Sequence, residues 1–282
     1  MNFRHDAIRQ AMLAAIVGAS FAAGTTAAVA ADLGAGPAPL AEPVASDRPQ
    51  ISTNATFASD YRFRGFTQTR ESAALQGGFD VLWRSFYVGV WATNVDFGRG
   101  FDAGAGVWRD VANVEVVTYA GMKRKFSNTE LDFRAIYYAY PGEHAAAVGY
   151  TTGDLGYYEL MMGITRELHA GLTGDLKIYW SPDYQGEVGH NWIVEGGLSR
   201  KLGTWGSLTP SLSARIGKSM GDEDKGGFDY YYWNVGMSVL FANYFEFDIR
   251  YYDTIDVPTA ALGSSCRNLC DGRVVARITF EN

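Results

Sequence analysis

Histidine, cysteine and proline are scarce in this chain: 4, 2 and 8 residues out of 282. No glycine-rich phosphate loop opens a helix, and neither a zinc-ligand spacing nor a dinucleotide-binding pattern occurs. These gaps remove the usual signatures of metal and nucleotide enzymes, so no cofactor or metal is expected. No run of roughly 20 apolar residues follows the N-terminus, so no helical membrane span is expected. A formal net charge of −7 argues against a nucleic-acid partner. The mean hydropathy of −0.11 is too polar for a helical membrane protein. A β-barrel tolerates it, because only alternate residues face lipid.

The first 30 residues read as a secretory signal peptide. Arg4, His5 and Arg9 give a basic start, Ala11 to Ala23 an apolar run, and Ala28-Val29-Ala30 a small-x-small cleavage pattern. The competing reading is an N-terminal transmembrane helix, which the many small residues and the Ala-Val-Ala ending disfavour. Arg4 and Arg9 outnumber Asp6, so cleavage takes the net charge from −7 to −8. Residues 31–50 are Ala- and Pro-rich, with Pro37, Pro39, Pro43 and Pro49, and read as a linker. Residues 51–282 form one compositional regime. Export without helices, with 14% aromatics and 33 Gly, leaves a membrane barrel or a secreted soluble β protein.

Loop sorting favours the barrel. Twelve strand-like segments fit between residues 50 and 280. Tight connections such as Arg84-Ser85, Phe126-Ser127-Asn128 and Ala242 to Tyr244 alternate with long ones such as 98–112, 141–156 and 255–272. Short periplasmic turns and long outer loops are the mark of outer-membrane barrels. The fold expected is therefore all-β, a transmembrane antiparallel up-and-down barrel of about 12 strands. The first strand reads as Ile51 to Arg64, with Ile51, Ala55, Phe57, Tyr61 and Phe63 on one face. Ser52, Asn54, Thr56, Asp60, Arg62 and Arg64 fall on the other. Later segments alternate similarly, with Asp132 and Arg134, Lys177, Arg215, and Asp248 and Arg250 recurring on a polar face. Tyrosines near segment ends (Tyr137, Tyr138, Tyr157, Tyr158, and Tyr230 to Tyr232) suggest aromatic girdles. Ordinary β-propensity is the less favoured alternative. Gly77-Gly78 and Gly196-Gly197 lie inside strands and read as bends or crowded spots.

Ser59-Asp60-Tyr61-Arg62-Phe63-Arg64-Gly65-Phe66-Thr67-Gln68 resembles the opening strand of the TorF family of porin-type barrels. The likeness continues through Ala74 to Asp80, Phe86 to Phe97, Glu130 to Gly142 and the closing Arg273-Val274-Val275. The resemblance covers most of the mature chain, densest in its first hundred residues. It implies an exported barrel of the bacterial outer membrane, in contact with lipid and lipopolysaccharide, and specifies no solute. One departure is at the end, where Phe280 is followed by Glu281 and Asn282 rather than closing the chain as an aromatic.

Asp60, Arg62, Arg64, Asp132, Arg134, Lys177, Arg215 and Arg250 are the pore-lining candidates, as charged rings tune selectivity in channels. A lumen salt-bridge network that only neutralises buried charge is the alternative. Charges of both signs leave the ion preference open. Cys266 and Cys270 are the disulfide candidate for an oxidising compartment. Asp222-Glu223-Asp224 suits a divalent cation less well than a solvated cluster. Ser181 with His190 and Asn191 is a weak hydrolytic trio, and His144 and His169 read as surface histidines. The function expected is passive diffusion of small hydrophilic solutes or ions through a narrow polar lumen, without catalysis. The alternative is a non-conducting barrel that braces the membrane or binds through its loops. The oligomeric state is left open.

Overall fold

The computed structural model describes residues 48–144, 155–169, 171–258 and 266–282. The expected signal peptide and most of the expected linker lie outside the described residues. Twelve strands close into an antiparallel barrel: β1 (Gln50–Ala58), β4 (Ala74–Trp83), β5 (Phe86–Asn94), β8 (Val114–Phe126), β9 (Thr129–Ala139), β10 (Tyr157–His169), β11 (Leu172–Ser181), β12 (Asn191–Lys201), β13 (Leu208–Gly221), β14 (Tyr230–Phe241), β15 (Phe245–Ile255) and β16 (Arg273–Glu281). Two small hairpins stand apart from the wall: β2 (Arg62–Phe63) with β3 (Phe66–Thr67), and β6 (Arg99–Asp102) with β7 (Val107–Asp110). Each wall strand pairs with its sequence neighbours in the wall, and β16 returns to β1 with Phe280 opposite Ala55 and Ile278 opposite Phe57. Closure leaves the twelve-stranded wall itself without an unpaired edge among the described residues.

Alternation sorts the wall into two surfaces. Ile51, Phe57, Leu75, Val88, Leu160, Leu176, Ile216, Phe247 and Ile249 point outward and are exposed. Such an apolar exterior is suited to hydrocarbon rather than water. The intervening residues point inward and are largely polar: Ser52, Asn54, Asp80, Glu115, Asp132, Lys177, Glu195, Arg250 and Thr279 are all buried. Phe280 faces outward against Phe245, with ring centroids 5.4 Å apart.

The expected sorting of connections is present. One end has short turns at 84–85, 127–128 and 242–244, and the other has long connections at 59–73, 95–113, 140–156 and 256–272. The short-turn end places Arg84, Ser127, Ala242 and Asn243 at positive φ, the conformation that tight antiparallel turns demand. The tyrosine girdle is half of what the sequence suggested. Tyr158 and Tyr231 face outward, but their neighbours Tyr138, Tyr157, Tyr230 and Tyr232 are buried inside. A period of two makes adjacent tyrosines face opposite ways.

The first strand departs from expectation. It ends at Ala58, not Arg64. Ser59 still pairs with the wall, accepting from the Ala276 N–H at 3.1 Å through its hydroxyl, and the chain then turns into the lumen. Asp60, Arg62 and Arg64 therefore leave the wall, and every residue from Asp60 to Thr69 is buried.

Candidate functional site: a charged hairpin inside the barrel

Asp60 builds the inward hairpin. Its carboxylate accepts from Thr67 Oγ1 at 2.5 Å, Thr69 Oγ1 at 2.9 Å and Arg62 Nε at 2.7 Å, drawing the two arms together. The Gln68 N–H donates to the Tyr61 carbonyl at 2.7 Å and extends the pairing. Arg64 (φ 46°) and Gly65 (φ 89°) make the two-residue turn, and left-handed φ at both central residues is the hairpin geometry that strand twist favours. A side chain at Gly65 would run into Thr254 and Tyr232, so this position needs both the conformation and the space. Arg64 lacks glycine's freedom and carries a strain of about 1–2 kcal/mol.

The hairpin touches much of the circumference of the barrel near its long-loop end. Tyr61 donates to Glu115 on β8 at 2.9 Å and lies edge-on to Trp91 on β5, centroids 5.7 Å apart. Arg64 forms a two-pronged pair with Glu159 on β10, at 2.7 and 3.0 Å, and donates to the Tyr184 hydroxyl at 3.1 Å. Its guanidinium also lies 5.0 Å from the Tyr179 ring on β11. Phe66 meets Tyr230 on β14 at 5.1 Å. Burial alone would weaken the charge on Arg64, but the Glu159 carboxylate together with Tyr184 and Tyr138 outweighs it and lifts the guanidinium well above its ordinary range. Burial, with Glu115 beside it, pushes the Tyr61 phenol up, so it stays a donor.

Arg62 fastens the hairpin to the last long connection. It donates to the Leu269 carbonyl at 3.4 Å and the Asp271 carbonyl at 3.1 Å. Those carbonyls flank Cys270, which is disulfide-bonded to Cys266 across one helical turn. Thr254 on β15 donates to the Cys270 carbonyl at 2.7 Å.

The other sequence candidates point inward but do not form one patch. Arg134 pairs with Asp132 at 3.0 Å and donates from Nε to the Tyr87 hydroxyl at 2.7 Å. Lys123 joins this group through Glu130 at 3.7 Å. Arg215 bridges Asp175 at 2.8 Å and Glu195 at 3.2 Å, with Lys177 at 3.9 Å from Asp175. Arg250 holds Asp248 at 3.0 Å and Asn234 at 2.7 Å. Inward glycines make room for these groups. A Cβ at Gly121 would strike Tyr87, one at Gly217 would strike Tyr232, and one at Gly197 would meet Arg215. The crowding expected at Gly78 is also present, against Asn54 and Trp91.

Glu115, Glu159, Tyr61, Tyr179 and Tyr184 were not singled out by sequence. Each has a β-typical or unremarkable local context, and the folded hairpin adds to the wall partners that Glu115, Glu159 and Tyr179 already have in Tyr140, Tyr138 and Glu195. The hydrolytic trio is not assembled: His190 Nδ1 lies 3.1 Å from Asp222 Oδ2, Asn191 donates to Ser219 at 3.2 Å, and among the described residues the buried Ser181 Oγ has no hydrogen-bond partner. No cluster of three or more metal-ligating side chains occurs among the described residues.

Residues 42–280 match the Gcw_chp family, described as bacterial proteins of unknown function, and the chain belongs to that family. No curated protein matches the sequence. Among solved structures, the KdgM porin aligns with a TM-score of 0.50 at 7% identity, over 81% of this chain and 98% of that one. KdgM in complex with disordered oligogalacturonate gives the same score and identity over 83% and 98%. The NanC porin aligns at 0.44 and 7% over 82% and 98%. At these identities the likeness is one of fold: this Gcw_chp chain has a barrel like those of outer-membrane porins.

Proposed function

We propose that this Gcw_chp barrel sits in the bacterial outer membrane and passes small hydrophilic solutes or ions by diffusion through a narrow lumen. In this reading the 60–69 hairpin sets the constriction. The observation that carries it is the opposition of surfaces: an apolar exterior around an interior wall of serine, asparagine, tyrosine and charged side chains. An interior meant only to brace a membrane has no need of so many desolvated charges, which cost several kcal/mol each unless paired. The TorF likeness of the hairpin segment points the same way. The short turns would face the periplasm and the long connections the exterior, where lipopolysaccharide is the neighbour.

Twelve strands fall between barrels filled by side chains and barrels with wide water channels. The hairpin narrows the passage further, and its contacts around the wall favour a second reading, a barrel plugged at rest. Single-channel recording of the refolded mature chain in planar bilayers separates the two. Stepwise currents from a folded, heat-modifiable barrel support diffusion, and a folded barrel that never conducts refutes it.

A further inference from the structure

Charge in the lumen is unevenly compensated. Every inward arginine and lysine described above has a carboxylate partner, as does Arg277, 3.1 Å from Asp248. Three carboxylates near the short-turn end differ. Glu246 is the second residue of β15, Glu281 the last of β16, and Asp80 lies toward the end of β4. Glu246 is 5% exposed, and neither of its oxygens has a hydrogen-bond partner among the described residues. Asp80 takes only the Tyr119 phenol. Among the described residues none of the three forms an ion pair.

Register places the three on one stretch of wall. Glu246 pairs across β15–β16 with Thr279, and Glu281 pairs with Asn54 of β1. Asn54 pairs in turn with Gly78, and Ser52 with Asp80, on β4. The intervening inward groups are neutral: Ser52, Asn54, Gln76 and Thr279. A buried carboxylate with both oxygens unpartnered is costly unless it takes up a proton or a mobile partner supplies the missing contacts. In a wet lumen that partner is water or a cation.

We propose that the short-turn mouth of the lumen is a cation-selective filter in which Glu246, Glu281 and Asp80 carry the preference. The chain then admits inorganic and small organic cations ahead of anions. This rests on the diffusion reading and names the solute class for it. A unit charge about 8 Å from a passing ion in water changes that ion's local concentration about twofold. Because cation and anion respond in opposite senses, each neutralisation lowers the permeability ratio about fourfold.

The test is the reversal potential of the full mature protein under a KCl gradient, for the wild type, Glu246→Gln and Glu281→Gln, with folding checked by heat-modifiability. Potassium preference that falls with each substitution is expected. Chloride preference, or a potassium preference that neither substitution changes, overturns the proposal. Absence of current from folded protein refutes diffusion instead. Calorimetric titration of the same samples with spermidine at low salt then decides the filter separately. Binding weakened severalfold in Glu246→Gln supports it, and no binding, or binding that Glu246→Gln leaves unchanged, overturns it.

Discussion

Arg64→Met is the sharpest perturbation of the hairpin. It keeps a long side chain among Phe63, Tyr179 and Tyr184 but leaves Glu159 buried with only the Tyr138 hydroxyl, at 3.0 Å. Removing one partner of a buried ion pair costs about 3–5 kcal/mol. The wall cannot readily absorb that cost, because β9, β10 and β11 are joined by long ladders. The hairpin's ladder is short: Arg62 with Thr67 and Phe63 with Phe66, extended by the Gln68 to Tyr61 bond. The cost therefore falls on the equilibrium between seated and released hairpin. At about 1.4 kcal/mol per factor of ten, it raises the ratio of released to seated hairpin by about two to three and a half orders of magnitude. Planar-bilayer recording should show larger, noisier conductance for Arg64→Met and also for Glu159→Gln. The double variant Arg64→Met/Glu159→Leu replaces the pair with apolar groups, an exchange that is often near neutral, and should return toward the wild-type current. The reasoning fails if the folded single variants conduct like wild type, or if the double variant is as noisy as either.

Gly121→Leu should prevent folding outright, because its side chain would occupy the place of the Tyr87 phenol; loss of the heat-modifiable gel band is the readout. Ile249→Lys puts a charge on the exposed exterior of β15 and should cost about 2–4 kcal/mol at mid-membrane depth, measurable by denaturant unfolding from vesicles. Ser213→Ala, which removes the hydroxyl that takes a 2.7 Å hydrogen bond from Arg250, should cost about 1–3 kcal/mol in the same assay. Reducing the Cys266–Cys270 disulfide frees the turn whose carbonyls hold Arg62 and should increase current noise without unfolding the barrel. Unchanged noise after verified thiol labelling would show that Arg62 does not depend on that turn.

The barrel was legible because its two governing signals are local. A period of two and the sorting of short against long connections survive in any one chain. Phe247, Ile249 and their inward neighbours Asp248 and Arg250 lie as the alternation requires. The tyrosine girdle was legible only in part, since a ring at a membrane interface and a ring packed over an inward glycine have the same composition and spacing. Tyr137 and Tyr158 lie tilted with centroids 4.4 Å apart, and their neighbours Tyr138 and Tyr157 stack at 4.3 Å, one pair on each side of the wall.

The hairpin was hidden for a different reason. Alternation distinguishes a residue from its neighbour, but a segment inside a barrel is surrounded on both faces, and either phase of the pattern is satisfied there. Asp60, Arg62 and Arg64 kept their alternation with Tyr61 and Phe63 and so passed for more wall. Two features argued otherwise. A central Arg64-Gly65 pair suits a tight turn more than a strand interior, where glycine is unfavourable. Asp60 with Thr67 and Thr69 places an acceptor and two hydroxyl donors at separations that a two-residue turn brings together, whereas along an extended strand the seven residues from Asp60 to Thr67 span over 20 Å. Read together they specify a hairpin that carries its own fastening, and the wall supplies the remaining partners through Glu115 and Glu159. Deleting the segment would therefore leave two buried carboxylates without their hairpin donors. The hairpin and its facing strands are one electrostatic unit, and neither is complete without the other.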